Sequence, residues 1–206
     1  MKRSLTACRP SKRDPSEKMN YIDLAQHNLV IEPRYYCYGW SRSKKIVARP
    51  SLARALMRAK KFLPAGYTFK IWDCRRPRSV QLLMLASFRR RLKIMHPGLS
   101  SAELAKIVRR FGARPLKRVT RPDTHRNGGA VDLTIIDRSG RELYMGTDHD
   151  DLTDRAATDY FESKKKLSTL GREARKNRRL LKRVLTRAGL KNYAAEWWHW
   201  YYPHHR

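Results

Sequence analysis

The sequence predicts a single α+β domain. Helix-period and strand-period segments are mixed without the strand–helix–strand rhythm of a parallel sheet. At 41% hydrophobic, with 5 Trp, 10 Tyr and 5 Phe, the 206 residues carry enough apolar material for one real core. No linker divides that core, and no segment repeats at a period of 20–50 residues.

The elements follow in chain order. Residues 1–19 are polar, charged and Pro-containing, and read as a mobile arm ahead of a domain spanning 20–206. Tyr21 to Tyr38 reads as loop plus a short strand. Pro50 suits the first turn of a helix, whose apolar stripe (Leu52, Leu56, Phe62, Leu63) is stopped by Pro64-Ala65-Gly66. Tyr67, Phe69 and Ile71 alternate with polar residues, a strand signature. A helix over Ser79 to Met95, with Leu82, Leu83, Leu85, Ala86 and Phe88 inside, ends at His96-Pro97-Gly98. Ser100 and Glu103 form a capping box for a helix to Phe111. Ala130 to Ile136 is an apolar strand, followed by a turn over Asp137 to Gly140. Gly171 to Ala188 is a basic amphipathic helix with Leu180, Leu181, Val184, Leu185 and Ala188 buried and Gly189 as its stop. An aromatic strand, Trp197 to Tyr202, closes the chain.

Charge and cysteine usage exclude several classes. Lys+Arg 47 against Asp+Glu 18 gives a net charge of +29. The aromatic content excludes a disordered basic tail, and the absence of a long apolar run excludes a membrane-spanning helix. Cys8, Cys37 and Cys74 have no paired spacing, which excludes a disulfide framework and a Cys-based zinc site. The cations are dispersed along solvated helix faces, so the charge reads as a very basic surface without a specific nucleic-acid site. Such a surface attracts anionic polymers without sequence choice. Lys2 and Arg3 are followed by no apolar h-region, so the expected compartment is the cytoplasm.

Chemistry concentrates in three segments: Trp72 to Pro77, Asp123 to Asp132, and Glu196 to His199. Two His and one Asp suit Zn²⁺, which leaves a fourth position for water. His125 and Asp132 are seven apart, a spacing that an unbroken strand would split between two faces. The turn at Gly128-Gly129 can undo that parity, and His199 completes the set from a distant part of the chain. Glu196 is the candidate general base for a zinc-activated water. On a regular strand Glu196 and His199 face apart, so a bend or bulge is predicted between them. Singly, each residue has a blander reading: a loop histidine, a turn aspartate, a core aromatic strand. The Glu inside an apolar stretch is harder to dismiss, because a buried carboxylate needs a partner.

At these residues the chain resembles the VanX-type D-alanyl-D-alanine dipeptidases, zinc enzymes related in fold to bacterial D,D-carboxypeptidases and the hedgehog signalling domain. The resemblance rests on His125, Gly128, Ala130 and Asp132, on Met145-Gly146-Thr147-Asp148-His149-Asp150, on Glu196-Trp197-Trp198-His199, and on Arg76-Pro77 ahead of a helix. It covers about Tyr21 to Tyr202. It implies a small antiparallel sheet flanked by helices, with one zinc per chain held by His125, Asp132 and His199. It implies Glu196 as catalytic base and Arg76 as oxyanion stabiliser, with Arg75 the alternative if the register slips by one. Asp150 would pair with the amino group of a small D-amino-acid peptide. Two residues depart from the family pattern: Asp123 replaces a Ser near the substrate's carboxyl end, and His149 replaces a Phe. Both bear on the substrate and neither on the metal set.

The expected activity is hydrolysis of D-Ala-D-Ala or a similar peptidoglycan-derived peptide. The alternatives are a D,D- or L,D-carboxypeptidase or endolysin-type wall peptidase, and a basic nucleic-acid-binding protein on an inactive peptidase scaffold. Retention of Glu196 with the full ligand set argues against the last, since binding needs no general base.

Overall fold

A computed structural model describes residues 20–112 and 124–203. The arm over 1–19, Asp123 and the histidines at 204 and 205 lie outside the described residues. The strands are β1 (Ile22–Asp23), β2 (Val30–Ile31), β3 (Val47–Ala48), β4 (Thr68–Asp73), β5 (Ala130–Ile136), β6 (Lys191–Asn192) and β7 (His199–Tyr201). The helices are α1 (Arg34–Cys37), α2 (Pro50–Lys60), α3 (Arg78–Met95), α4 (Ser101–Phe111) and α5 (Thr169–Arg187).

β2, β4, β5, β7 and β6 form one sheet in that order, while β1 and β3 pair separately. β2 runs parallel to β4 and the remaining pairs are antiparallel, so the small sheet is mixed at one edge. Every residue of β5 is buried, as expected of a central strand covered on both faces. The largest fully buried side chains are Trp72, Trp197, Trp198 and Trp200, with Phe69 and Phe88. Among the described residues no helix is long and apolar enough to cross a membrane.

Local signals place most elements. Pro50 occupies the first turn of α2, where its missing N–H costs nothing. Ser100 accepts from the Glu103 N–H while Glu103 accepts from the Ser100 N–H, the reciprocal box that opens α4. Gly189, at φ +86°, follows the end of α5.

Three expectations need correction. Leu82 and Leu83 of α3 are exposed at 39% and 47%; the buried stripe is Val80, Met84, Phe88 and Leu92. That stripe steps by four residues, and Met84 fixes its orientation by accepting a hydrogen bond at sulfur from Arg76, with the Tyr35 hydroxyl 3.2 Å away. The aromatic run at the end of the chain is a strand only over β7, because Trp197 and Trp198 form a turn. Tyr21 to Tyr38 holds two short strands, a 3₁₀ turn (Leu24–His27) and the helical turn α1.

α5 also anchors the loop ahead of it. Arg178 is buried and donates to the carbonyls of Met145 (2.7 Å), Ala157 (2.6 Å) and Arg155 (2.8 Å). Burial pulls its guanidinium down to about 10, still charged at neutral pH. The Arg178→Met substitution should destabilise the fold by about 3 kcal/mol, because three carbonyls, that of buried Met145 among them, lose their donor. Denaturant unfolding measures this, and amide exchange across residues 145–157 should accelerate with it.

Candidate metal centre

The sheet itself lines up the site. β5 pairs with β7 so that Asp132 lies directly opposite His199. On its other side β5 pairs with β4, where a register shift between Ile71 and Asp73 sets Asp73 opposite Asp132. Directly opposed residues share a face. Asp73, Asp132 and His199 therefore form a row across three neighbouring strands.

His125 reaches this row from a 3₁₀ turn, His125–Asn127, closed by Gly128 at φ +68°. A Cβ at Gly128 would stand 3.0 Å from the Arg49 backbone nitrogen, so the tight reversal depends on glycine. The side-chain oxygen of Asn127 accepts from the N–H groups of Thr124 and Gly129 and stiffens the turn. The expected reversal between His125 and Asp132 is there. So is the bend between Glu196 and His199, where the His199 N–H donates to the Glu196 carbonyl (3.2 Å).

Three ligand atoms converge. His125 Nε2 lies 3.0 Å from His199 Nδ1 and 3.2 Å from Asp132 Oδ1, and His199 Nδ1 lies 3.0 Å from the same oxygen. Two imidazole nitrogens this close either share a hydrogen or hold a cation between them. His125 Nδ1 donates to the Cys74 carbonyl (2.7 Å), which leaves Nε2 to face the centre. A tetrahedral zinc with bonds of about 2.05 Å sets ligand–ligand edges of about 3.3 Å, close to this triangle. Among the described residues this is the one His/Cys/Asp/Glu cluster of metal-binding geometry.

The proton affinities fit that need for positive charge. Burial lowers and Arg76 also opposes protonation of His125, yet Asp132 and Asp73 outweigh both and lift its pKa to about 9. Burial lowers the pKa of His199. Burial raises the pKa of Asp132, but His125, His149 and His199 hold it well below the ordinary carboxylate value. Glu196 moves the other way. Burial, then the charges of Asp132 and Asp150, push its carboxyl well above the ordinary value. Its Oε2 lies 3.8 Å from His199 Nδ1, beside the ligand triangle.

Arg76 sits behind the ligands. It donates from Nε to Asp73 (2.7 Å), from Nη1 to Gln81 (2.8 Å) and Met84 (2.9 Å), and from Nη2 to Asp132 (2.8 Å). Arg75 turns elsewhere and lies 4.7 Å from the Tyr21 ring centroid, so Arg76 is the arginine in the site. Asp150 adopts φ +59° and accepts from the Tyr35 hydroxyl (3.1 Å). It caps no helix.

The sequence reading missed two members. Asp73 lies inside a segment it singled out, but nothing local marks the bulge that turns it toward His125 Nδ1 at 3.1 Å. Tyr35, 115 residues from Asp150 in the chain, carries no sequence signal.

Comparison with known proteins places the chain in a family. The sequence model of the D-Ala-D-Ala dipeptidase family matches residues 37–206. A D-alanyl-D-alanine dipeptidase of Escherichia coli is 34% identical over 85 residues, 41% of this chain and 40% of that protein. One from Synechocystis is 30% identical over 82 residues, 38% of this chain and 33% of that protein. One from Enterococcus faecalis is 26% identical over 158 residues, 76% of this chain and 73% of that protein. The chain thus spans well under half the length of the first two relatives and about three quarters of the third. Because the family match covers most of the chain, this protein belongs to the D-Ala-D-Ala dipeptidase family.

Proposed function

We propose that this chain is a zinc-dependent peptidase that hydrolyses D-Ala-D-Ala or a similar small peptide of peptidoglycan origin. The observation that carries this reading is the convergence of His125, Asp132 and His199 beside a buried carboxyl, Glu196. A binding protein needs no such acid. Cytoplasmic residence belongs to the reading.

The three ligands would hold one zinc ion per chain, which when bound supplies Lewis acidity that polarises the scissile carbonyl and acidifies a water. Glu196 takes the proton from that water and returns it to the leaving amine. Its raised proton affinity makes it a stronger base toward that water than a carboxylate of ordinary acidity. Arg76 contributes positive charge where the oxyanion forms. Four of the five N–H bonds of its guanidinium are committed to Asp73, Gln81, Met84 and Asp132, so a single Nη2 hydrogen serves the substrate. Asp150 receives the substrate's ammonium group. Asp123, where the family pattern has Ser, lies outside the described residues, and longer wall peptides are the alternative substrate.

Purified protein should carry about one zinc per chain, and Asp132→Ala or His199→Ala should abolish that stoichiometry in elemental analysis. Glu196→Gln should retain zinc yet lower kcat by a factor on the order of 10²–10⁴; turnover at the parental rate would remove Glu196 from the mechanism. In an assay of D-Ala-D-Ala beside tripeptides and intact peptidoglycan, the dipeptide should be cleaved fastest. Degradation of the polymer alone would install the endolysin-type reading instead.

A further inference from the structure

His149 is the polar member of an otherwise aromatic wall. Its ring packs against Trp72 (centroids 5.0 Å apart), Trp198 (5.6 Å) and Tyr35 (6.1 Å), and its side chain is fully buried. Nε2 lies 3.4 Å from Asp132 Oδ2 and 3.5 Å from Asp150 Oδ1. Nδ1 is buried and has no hydrogen-bond partner among the described residues.

That pairing of one engaged and one orphaned nitrogen is informative. Phenylalanine would fill the same aromatic box without burying an unsatisfied nitrogen. What the imidazole adds is the Nε2–H group between two carboxylates. One of them, Asp132, turns Oδ1 toward His125 and His199 and Oδ2 toward His149 and Arg76. The other, Asp150, is held at its second oxygen by Tyr35 on a backbone in the left-handed region.

We propose that His149 is a positioning residue that ties the metal-ligating carboxylate of Asp132 to the ammonium-receiving carboxylate of Asp150, setting the orientation of both. The neutral Nε2–H tautomer suffices, since its hydrogen engages Asp132 Oδ2 while the same N–H dipole, 3.5 Å from Asp150 Oδ1, reduces the repulsion between the two acids. Outer partners of this kind commonly set metal affinity and ligand geometry. The inference rests on the roles given above to Asp132 and Asp150.

The test uses the full-length protein with His149→Phe and His149→Gln, whose amide can place an N–H near the position of Nε2. Zinc affinity is read by competition with a chromophoric chelator, KM and kcat on D-Ala-D-Ala at saturating zinc, and melting temperature on the zinc-free protein. His149→Phe should bind zinc about 10–100-fold more weakly. It should also raise KM more than it lowers kcat, while melting no lower than the parent. His149→Gln should restore both affinity and KM to within a few fold. Unchanged zinc affinity and KM in His149→Phe would overturn the proposal. So would a fall in melting temperature that parallels the fall in affinity, which would make His149 a packing residue. Absence of zinc binding by the parent protein would instead overturn the metal reading itself, a distinct outcome.

Discussion

The carboxylate of Asp132, 2% exposed in the middle of β5, is the group on which the rest of the site depends. A charge buried this deeply persists only if its neighbours compensate for lost solvent. Here the two oxygens divide the work. Oδ1 meets the nitrogens of His125 and His199, and Oδ2 meets Arg76 and His149. Four carboxyl groups, Asp73, Asp132, Asp150 and Glu196, are buried around this point, with the buried Arg76 guanidinium among them. Both Glu196 and His125 answer the imbalance with a raised proton affinity. A divalent cation at the histidine pair would relieve both adjustments at once.

Much of this was legible in the chain because its signals are local. The Ser100–Glu103 box, Pro50, the apolar run of β5 and the Gly128 turn each fix a backbone conformation within a few residues. The convergence of His125 with Asp132 followed from the parity of a strand and the reversal that glycine permits. The bend before His199 followed from the need to set Glu196 and His199 on one side.

Features set by distant partners were not legible. α3 has enough leucines for more than one apolar face, and the hydrogen bond from Arg76 to Met84 selects the buried one. The choice between Arg75 and Arg76 depends on Tyr21, more than 50 residues away, which takes up the first and leaves the second to the carboxylates. Asp73 joins the row through a slip of register against β5 that no pattern within β4 announces.

The same accounting separates the surface charge from the chemistry. A net charge of +29 acting at long range would lower every carboxyl pKa, yet Glu196 is displaced upward. The cations of α5 show why. Arg172, Lys176, Arg179, Lys182, Arg183 and Arg187 all lie on its exposed side, in water, where ions screen them within about 8–10 Å. Trp72, Trp197 and Trp198 wall the centre with apolar surface, so the interactions that count there are those at contact distance. The basic surface governs what the molecule meets in solution, whereas the buried acids and their few partners govern what the site can do.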